Sequence, residues 1–179
     1  MTEGGAVELR AERLWLFNNA GTVAPSAPLG TQDDEQIALA VNLNITAPLL
    51  LSNAVVAEAR RPDNVNIVHI GSGAGRKSYP GWSIYGASKA ALDRHAASAA
   101  NEERGVRIVS LAPGTVDTAM QEGMRRDPHF PLREHFAKIH ADGGLQNAND
   151  TALKILAHCL SEQFGREAIV DIRTIELPL

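Results

Sequence analysis

Ser72-Gly-Ala-Gly-Arg-Lys-Ser-Tyr-Pro-Gly-Trp-Ser-Ile-Tyr85-Gly-Ala-Ser-Lys89 is the stretch on which the reading of this 179-residue chain turns. An apolar run, Val65-Asn-Ile-Val-His-Ile70, precedes it and reads as a buried strand. A run of good helix formers, beginning Ala87-Ser-Lys-Ala-Ala-Leu92, follows it and predicts a helix over 83–104. Ser72 then stands at the tip of a strand, while Tyr85 and Lys89, at i and i+4, share one helix face. A phenol ionises near pH 10 and transfers protons poorly at neutrality. An ammonium one turn away favours the phenolate and lowers that value. A serine hydroxyl at the strand tip can hold a substrate oxygen against the phenol, which completes an acid/base site for a carbonyl or an alcohol. Taken alone, the Tyr85/Lys89 pair reads more readily as a solvated helix face.

The length suits one domain, 1–179, and a composition 44% hydrophobic and 21% charged predicts a globular chain with a core. Net charge is −4 with no basic block, which argues against a nucleic-acid partner. Cys159 is the only cysteine, so no internal disulfide forms, which fits a reducing, cytoplasmic compartment; the residue reads as a core thiol. The most apolar stretch, Ile45 to Ala59, is interrupted by Pro48 and Asn53 and reads as too short to span a membrane. His129, His135 and His140 lie in one region, but neither an H-x-x-x-H pair nor a cysteine partner points to a metal.

Outward from the central stretch, strand and helix alternate. Residues 1–13 read as a lead-in, and Leu14-Trp-Leu-Phe17 as a buried parallel strand that delivers Asn18-Asn-Ala-Gly21 as a turn. Asp33-Asp34 offers an N-cap for a helix running to about Arg60 and bent at Pro48. Gly105 ends the helix that carries Tyr85, and Val106–Ala112 is a strand closed by Pro113-Gly114. Residues 117–145 read as an irregular, substrate-side region with weak helical pieces. Asn149-Asp150 cap a helix to about Leu160, and 167–172 is the last strand. The expected fold class is α/β with a parallel, doubly wound sheet.

Four pieces coincide in order: Asn18-Asn-Ala-Gly21 ending a strand, Val41-Asn42 in the next helix, Ser72 with Tyr85 and Lys89, and Pro113-Gly-Thr-Val-Asp-Thr118 after the following strand. Together they resemble the short-chain dehydrogenase/reductase family over almost the whole chain. Val41-Asn-Leu-Asn-Ile-Thr-Ala-Pro-Leu-Leu-Leu51 and Asn19 to Pro28 are similar to its benzil reductase and sepiapterin reductase branch. The resemblance implies a Rossmann-like fold and hydride transfer between NADP or NAD and a small carbonyl or alcohol. It implies Tyr85 as general acid/base, Lys89 as its partner and ribose ligand, and Ser72 as the substrate-oxygen ligand. Asn42 is implied to hold a water that feeds protons past Lys89. Asn19, Ala20 and Gly21 would lie against the cofactor, with Pro113, Gly114, Val116 and Thr118 edging the nicotinamide. Tyr79, Trp82, Met120, Met124, Phe130 and Phe136 either line an apolar or aromatic substrate pocket or pack the loops.

One part of the family pattern is absent. The family opens with a strand and a Thr-Gly-x-x-x-Gly-x-Gly turn whose amides and helix N-terminus bind the pyrophosphate. Gly4-Gly5 lacks that spacing, and Gly71-Ser-Gly-Ala-Gly75 is followed by Arg76 and Pro80-Gly81 rather than a helix. Such domains run to roughly 250 residues, so the chain is expected to lack the first βαβαβ unit. Strand 14–18 is then expected to be an edge open to pairing, and the chain to form a homo-oligomer. The competing expectation is a non-catalytic remnant that binds a partner through this edge or its long helices.

Overall fold

The computed structural model describes residues 13–59, 61–102 and 105–175. All but Arg13 of the expected lead-in therefore lies outside the described residues. Four parallel strands form one sheet in the order β1-β2-β3-β4: β1 Leu14–Asn18, β2 Val65–Ile70, β3 Arg107–Ala112 and β4 Ile169–Asp171. Among the described residues β1 pairs with β2 alone and is an edge. Alternation along the strands sends side chains to two cores. On one face Val65, Ile67 and Ile108 pack with Val55, Val56 and Ala96; on the other Val68, Val109, Leu111 and Val170 pack with Ile155, Cys159 and Phe164. Both faces are covered, as continuous apolar strands require, and the parallel sheet with flanking helices is Rossmann-like.

The helices are α1 Asp34–Val41, α2 Ala47–Glu58, α3 Ser83–Ala99, α4 Ala119–Arg126, α5 Arg133–Ala141 and α6 Ala148–Leu160. Asp33 caps α1 by accepting from the Gln36 amide. Between α1 and α2 the chain makes a π-helical turn, Asn42–Thr46, in which the Ala47 amide reaches back to the Asn42 carbonyl. Pro48 explains its position. Proline brings no N–H to the Asn44 carbonyl, and its ring crowds that group, so the turn widens just before it. The expected bend at Pro48 is thus a widened turn over the preceding residues. The Ile45–Ala59 stretch lies in a continuous helical run, Asp34–Glu58, which at 25 residues is long and apolar enough to cross a membrane by length and composition only, as core helices also can be. Its inner face carries buried Asn44 and Ser52, hydrogen-bonded to the segment that follows β1 or to β1 itself.

Two further differences concern the C-terminal third. Residues 117–145 hold two true helices, α4 and α5, which pack on each other and on Trp82 through Met124, Phe130 and Phe136. Helix α6 is capped by Asn147, whose side chain accepts from the Asn149 and Asp150 amides, rather than by those two residues.

Candidate active site

Ser72 leaves β2 in extended conformation, and its Oγ accepts from the Ala74 amide at 3.1 Å, capping the short turn Gly73–Gly75. That turn presses against α3. A Cβ on Gly75 would come within 2.9 Å of the Lys89 carbonyl carbon and the Ala90 nitrogen, so only glycine permits the approach. Tyr85 in the first turn of α3 is 9% exposed, and Lys89 one turn later is 5% exposed. Burial pushes the Tyr85 phenol above its ordinary pKa of 10, while a hydrogen bond from Ser72 works in the opposite direction. Lys89 stands one helical turn further along α3 and is turned toward the end of β2. Its Nζ donates to the Ile70 carbonyl at 2.7 Å and lies 5.6 Å from the Tyr85 ring centroid.

Burial lowers the Lys89 ammonium from 10.5 to about 8, with buried Asp93 one turn on opposing the fall. The unfolded chain therefore binds more protons than the native one between those values, so this group makes stability rise with pH there. Cys159, raised by burial to about 11, and Tyr85 act oppositely above pH 9. Urea melts are expected to show stability increasing between about pH 8 and 9, and Lys89→Met is expected to abolish that increase. A flat wild-type profile would contradict the buried charge.

The expected place of Asn42 at the site is not found. Asn42 is exposed and ends α1. Asn44, two residues on, is 1% exposed and reaches the segment that follows β1. Its Nδ2 donates to the Thr22 carbonyl at 2.8 Å, and its Oδ1 accepts from the Thr22 amide at 2.9 Å. A Cβ on Gly21 would lie 3.2 Å from Asn44 Oδ1 and 3.8 Å from Lys89 Nζ, so the Asn44 amide, the ammonium and the glycine backbone converge. Asn44→Leu leaves both Thr22 groups unpaired and is expected to cost about 1–3 kcal/mol. Asn42→Ala is expected to change stability by less than about 0.5 kcal/mol. Chemical denaturation of the two variants checks the pair, and equal losses would deny Asn44 its bracing role.

Asn19 and Ala20 are exposed beside half-buried Gly21. Across β3, Pro113 accepts a hydrogen bond from Gln146 Nε2 at 3.2 Å. Gly114 takes φ +84°, a left-handed value that favours glycine. Val116 pairs with Gln146 in an isolated bridge, and exposed Thr118 caps α4. Over Tyr85 lies an aromatic cluster. Trp82 meets the Tyr85 ring edge-on at 5.1 Å, stacks on Phe130 at 5.2 Å, and donates Nε1–H to Ser26 Oγ at 3.2 Å. Tyr79, Met124 and Phe136 join it, whereas Met120 is exposed. A cleft of about 610 Å³ lies on the outer side of the serine loop, against Arg76, Lys77, Trp82 and Ala87, and includes neither Ser72 nor Tyr85. Among the described residues no group of three or more His, Cys, Asp or Glu is placed to hold a metal.

The sequence model of a family described as short chain dehydrogenase matches residues 6–129. Benzil reductase ((S)-benzoin forming) of Bacillus cereus is 32% identical over 88% of this chain and 66% of its own length. Sepiapterin reductase of Rattus norvegicus is 33% identical over 93% of this chain and 65% of its own. The crystal structure of the angucycline C-6 ketoreductase LanV with bound NADP superposes with a TM-score of 0.68 at 26% identity, over 88% of this chain and 60% of LanV. The chain thus spans a little under two thirds of the length of the curated relatives it matches. With the family match over residues 6–129, the parallel sheet and the Ser72, Tyr85 and Lys89 constellation, the chain belongs to the short chain dehydrogenase family.

Proposed function

We propose that this chain carries the chemical end of a nicotinamide-dependent reductase that interconverts a small carbonyl compound and its alcohol, with Tyr85 as general acid/base. The observation that carries this reading is the convergence of Tyr85, Ser72 and Lys89 at the C-terminal edge of the sheet, beside Gly21 and Asn44. The nicotinamide, NADP or NAD, supplies or accepts the hydride when bound. The cradle fits it on one count: Gly21 leaves open the space beside Lys89 Nζ that a Cβ would fill. Lys89 holds the ribose side, Asn19, Ala20 and Gly21 offer close backbone, and Pro113, Gly114, Val116 and Thr118 edge the ring. Ser72 Oγ aligns the substrate oxygen with the Tyr85 hydroxyl, which gives its proton in reduction and takes it back in oxidation. Asn44 braces the segment beside Lys89 by holding both Thr22 backbone groups. The aromatic cluster around Trp82 favours an apolar or aromatic substrate.

A homo-oligomer fits the exposed Leu39, Leu50 and Leu51 on the α1–α2 run and Leu153, Leu156 and Leu160 on α6. The reading as a non-catalytic remnant draws no support from a site in which the three chemical side chains stand together. NADPH and NADH consumption with an aromatic diketone tests the proposal. Absence of turnover with both, together with absence of nicotinamide contact by saturation-transfer NMR, would remove it.

A further inference from the structure

Behind the site runs a buried string of polar side chains that the chemistry above does not use. Ser52 Oγ donates to the Pro48 carbonyl at 2.6 Å. Asn18 Nδ2 lies 3.3 Å from Ser52 Oγ and 3.0 Å from His69 Nδ1. His69 Nε2 lies 3.0 Å from His95 Nδ1. The string joins α2, the end of β1, the middle of the sheet and α3. His69 is fully buried, Asn18 nearly so, and His95 half-buried.

The proton positions follow from donor and acceptor capacity. The Pro48 carbonyl accepts only, so it takes the single hydroxyl proton of Ser52. Ser52 Oγ can then only accept from Asn18, which fixes the amide with Nδ2 toward it. The second Nδ2 proton points at His69 Nδ1, which must therefore be bare. A neutral imidazole with bare Nδ1 carries its proton on Nε2, and this donates to His95 Nδ1. His95 in turn carries its proton on Nε2. A protonated His69 would set two donors face to face at Asn18 and place a second cation near Lys89.

We propose that His69 is a positioning residue: held in its Nε2–H tautomer with Nδ1 bare toward Asn18 and Nε2–H on His95, it holds Asn18 and thereby sets the Asn19–Gly21 turn. Its catalytic consequence rests on the reading that this turn faces the nicotinamide. Asn18 is the last residue of β1, and Ile70, next to His69, supplies the carbonyl that holds Lys89. One imidazole thus braces both the turn and the strand end from which Lys89 is held. Burial, with the neighbouring charges of His95 and Lys89, lowers the His69 pKa to about 4, which keeps the ring neutral at working pH.

Long-range nitrogen–proton correlation NMR of the histidine-labelled 179-residue chain at neutral pH reads the tautomer directly. The expected result is a bare Nδ1 and a protonated Nε2 on His69. Amide hydrogen exchange reads the turn through the Asn19 and Thr22 amides, which donate to Phe17 O and Asn44 Oδ1. His69→Leu orphans an Asn18 proton and is expected to speed exchange at both amides about tenfold or more, with β3 amides unchanged. His69→Asn places an oxygen where Nδ1 stood and is expected to restore most of the protection. Should His69→Leu fail to fold, Asn18→Leu carries the test: it removes the donor that keeps Nδ1 bare and is expected to leave His69 in mixed tautomers. An Nδ1–H or doubly protonated His69, an unchanged tautomer in Asn18→Leu, or equal exchange in wild type and in the His69→Leu and His69→Asn variants overturns the proposal. Absence of turnover with both dinucleotides together with missing nicotinamide contact in saturation-transfer NMR, with tautomer and exchange as expected, would remove the proposed function and leave the brace standing.

Discussion

Tyr85→Phe is expected to lower carbonyl-reducing turnover by about 10²–10⁴-fold, the usual weight of general acid–base catalysis. The substitution keeps the ring that Trp82 meets edge-on and removes only the hydroxyl that faces Ser72. Loss of the hydroxyl is expected to cost no more than about 0.5–1.5 kcal/mol, so a folded protein is expected. Without cofactor the phenol is pushed up by burial, and Lys89 Nζ is committed to the Ile70 carbonyl. The acid is therefore fully protonated at neutral pH, as carbonyl reduction needs. In oxidation Tyr85 must act as base, so the reverse rate is expected to climb with pH well beyond neutrality in the wild type. The Phe variant is expected to lose that slope as well as the rate. Initial rates in both directions across pH measure this, and near-normal turnover in the Phe variant would take Tyr85 out of the mechanism.

The parts of the fold that the sequence made legible are those governed by short-range rules. Val65–Ile70 and Arg107–Ala112 are apolar runs bounded by turn residues, and they are strands. Asp33 caps α1 because its carboxylate reaches an amide three residues on, a purely local relation. The register of Ser72, Tyr85 and Lys89 needed only a strand tip and one helical turn. What the sequence hid depended on departures from regular geometry or on distant partners. Asn42 was implied at the site by the family resemblance, and regular counting at 3.6 residues per turn does not anticipate the widened turn over Asn42–Thr46 that leaves it exposed and turns Asn44 inward. The available signal was Pro48, four residues past Asn44, together with the Asn-x-Asn spacing. Helices α4 and α5 are charged and weakly apolar; they are held by Phe130 and Phe136 stacking on Trp82, a partner far away in sequence. His69 and His95 lie 26 residues apart, and nothing local announces their contact.

A polypeptide of these 179 residues is expected to bind NADPH and NADH about three orders of magnitude or more weaker than a dinucleotide site with a complete pyrophosphate cradle. In Rossmann-like folds the pyrophosphate rests on amides at a glycine-rich helix N-terminus. The sequence has no Gly-x-x-x-Gly-x-Gly turn. The segment Gly71–Gly75, nearest to one, is folded instead as the serine loop, with its Ala74 and Gly75 amides turned to Ser72 and its Gly71 amide to the Leu111 carbonyl. Hydrogen bonds to charged groups contribute about 1.5–3 kcal/mol each. The absence of two or three therefore amounts to roughly 3–9 kcal/mol, where each 1.4 kcal/mol is tenfold in affinity. What the chain offers is a nicotinamide contact at Gly21, Lys89 and the Pro113–Thr118 segment, too small an area to offset that loss. Lys89 would also have to release the Ile70 carbonyl or share its protons between it and the ribose, since Nζ carries three. Titration calorimetry of the purified chain decides the matter. Low-micromolar, one-to-one binding of either dinucleotide would mean that the pyrophosphate is held by other groups, supplied by this chain or by a second copy, and the affinity argument would fall.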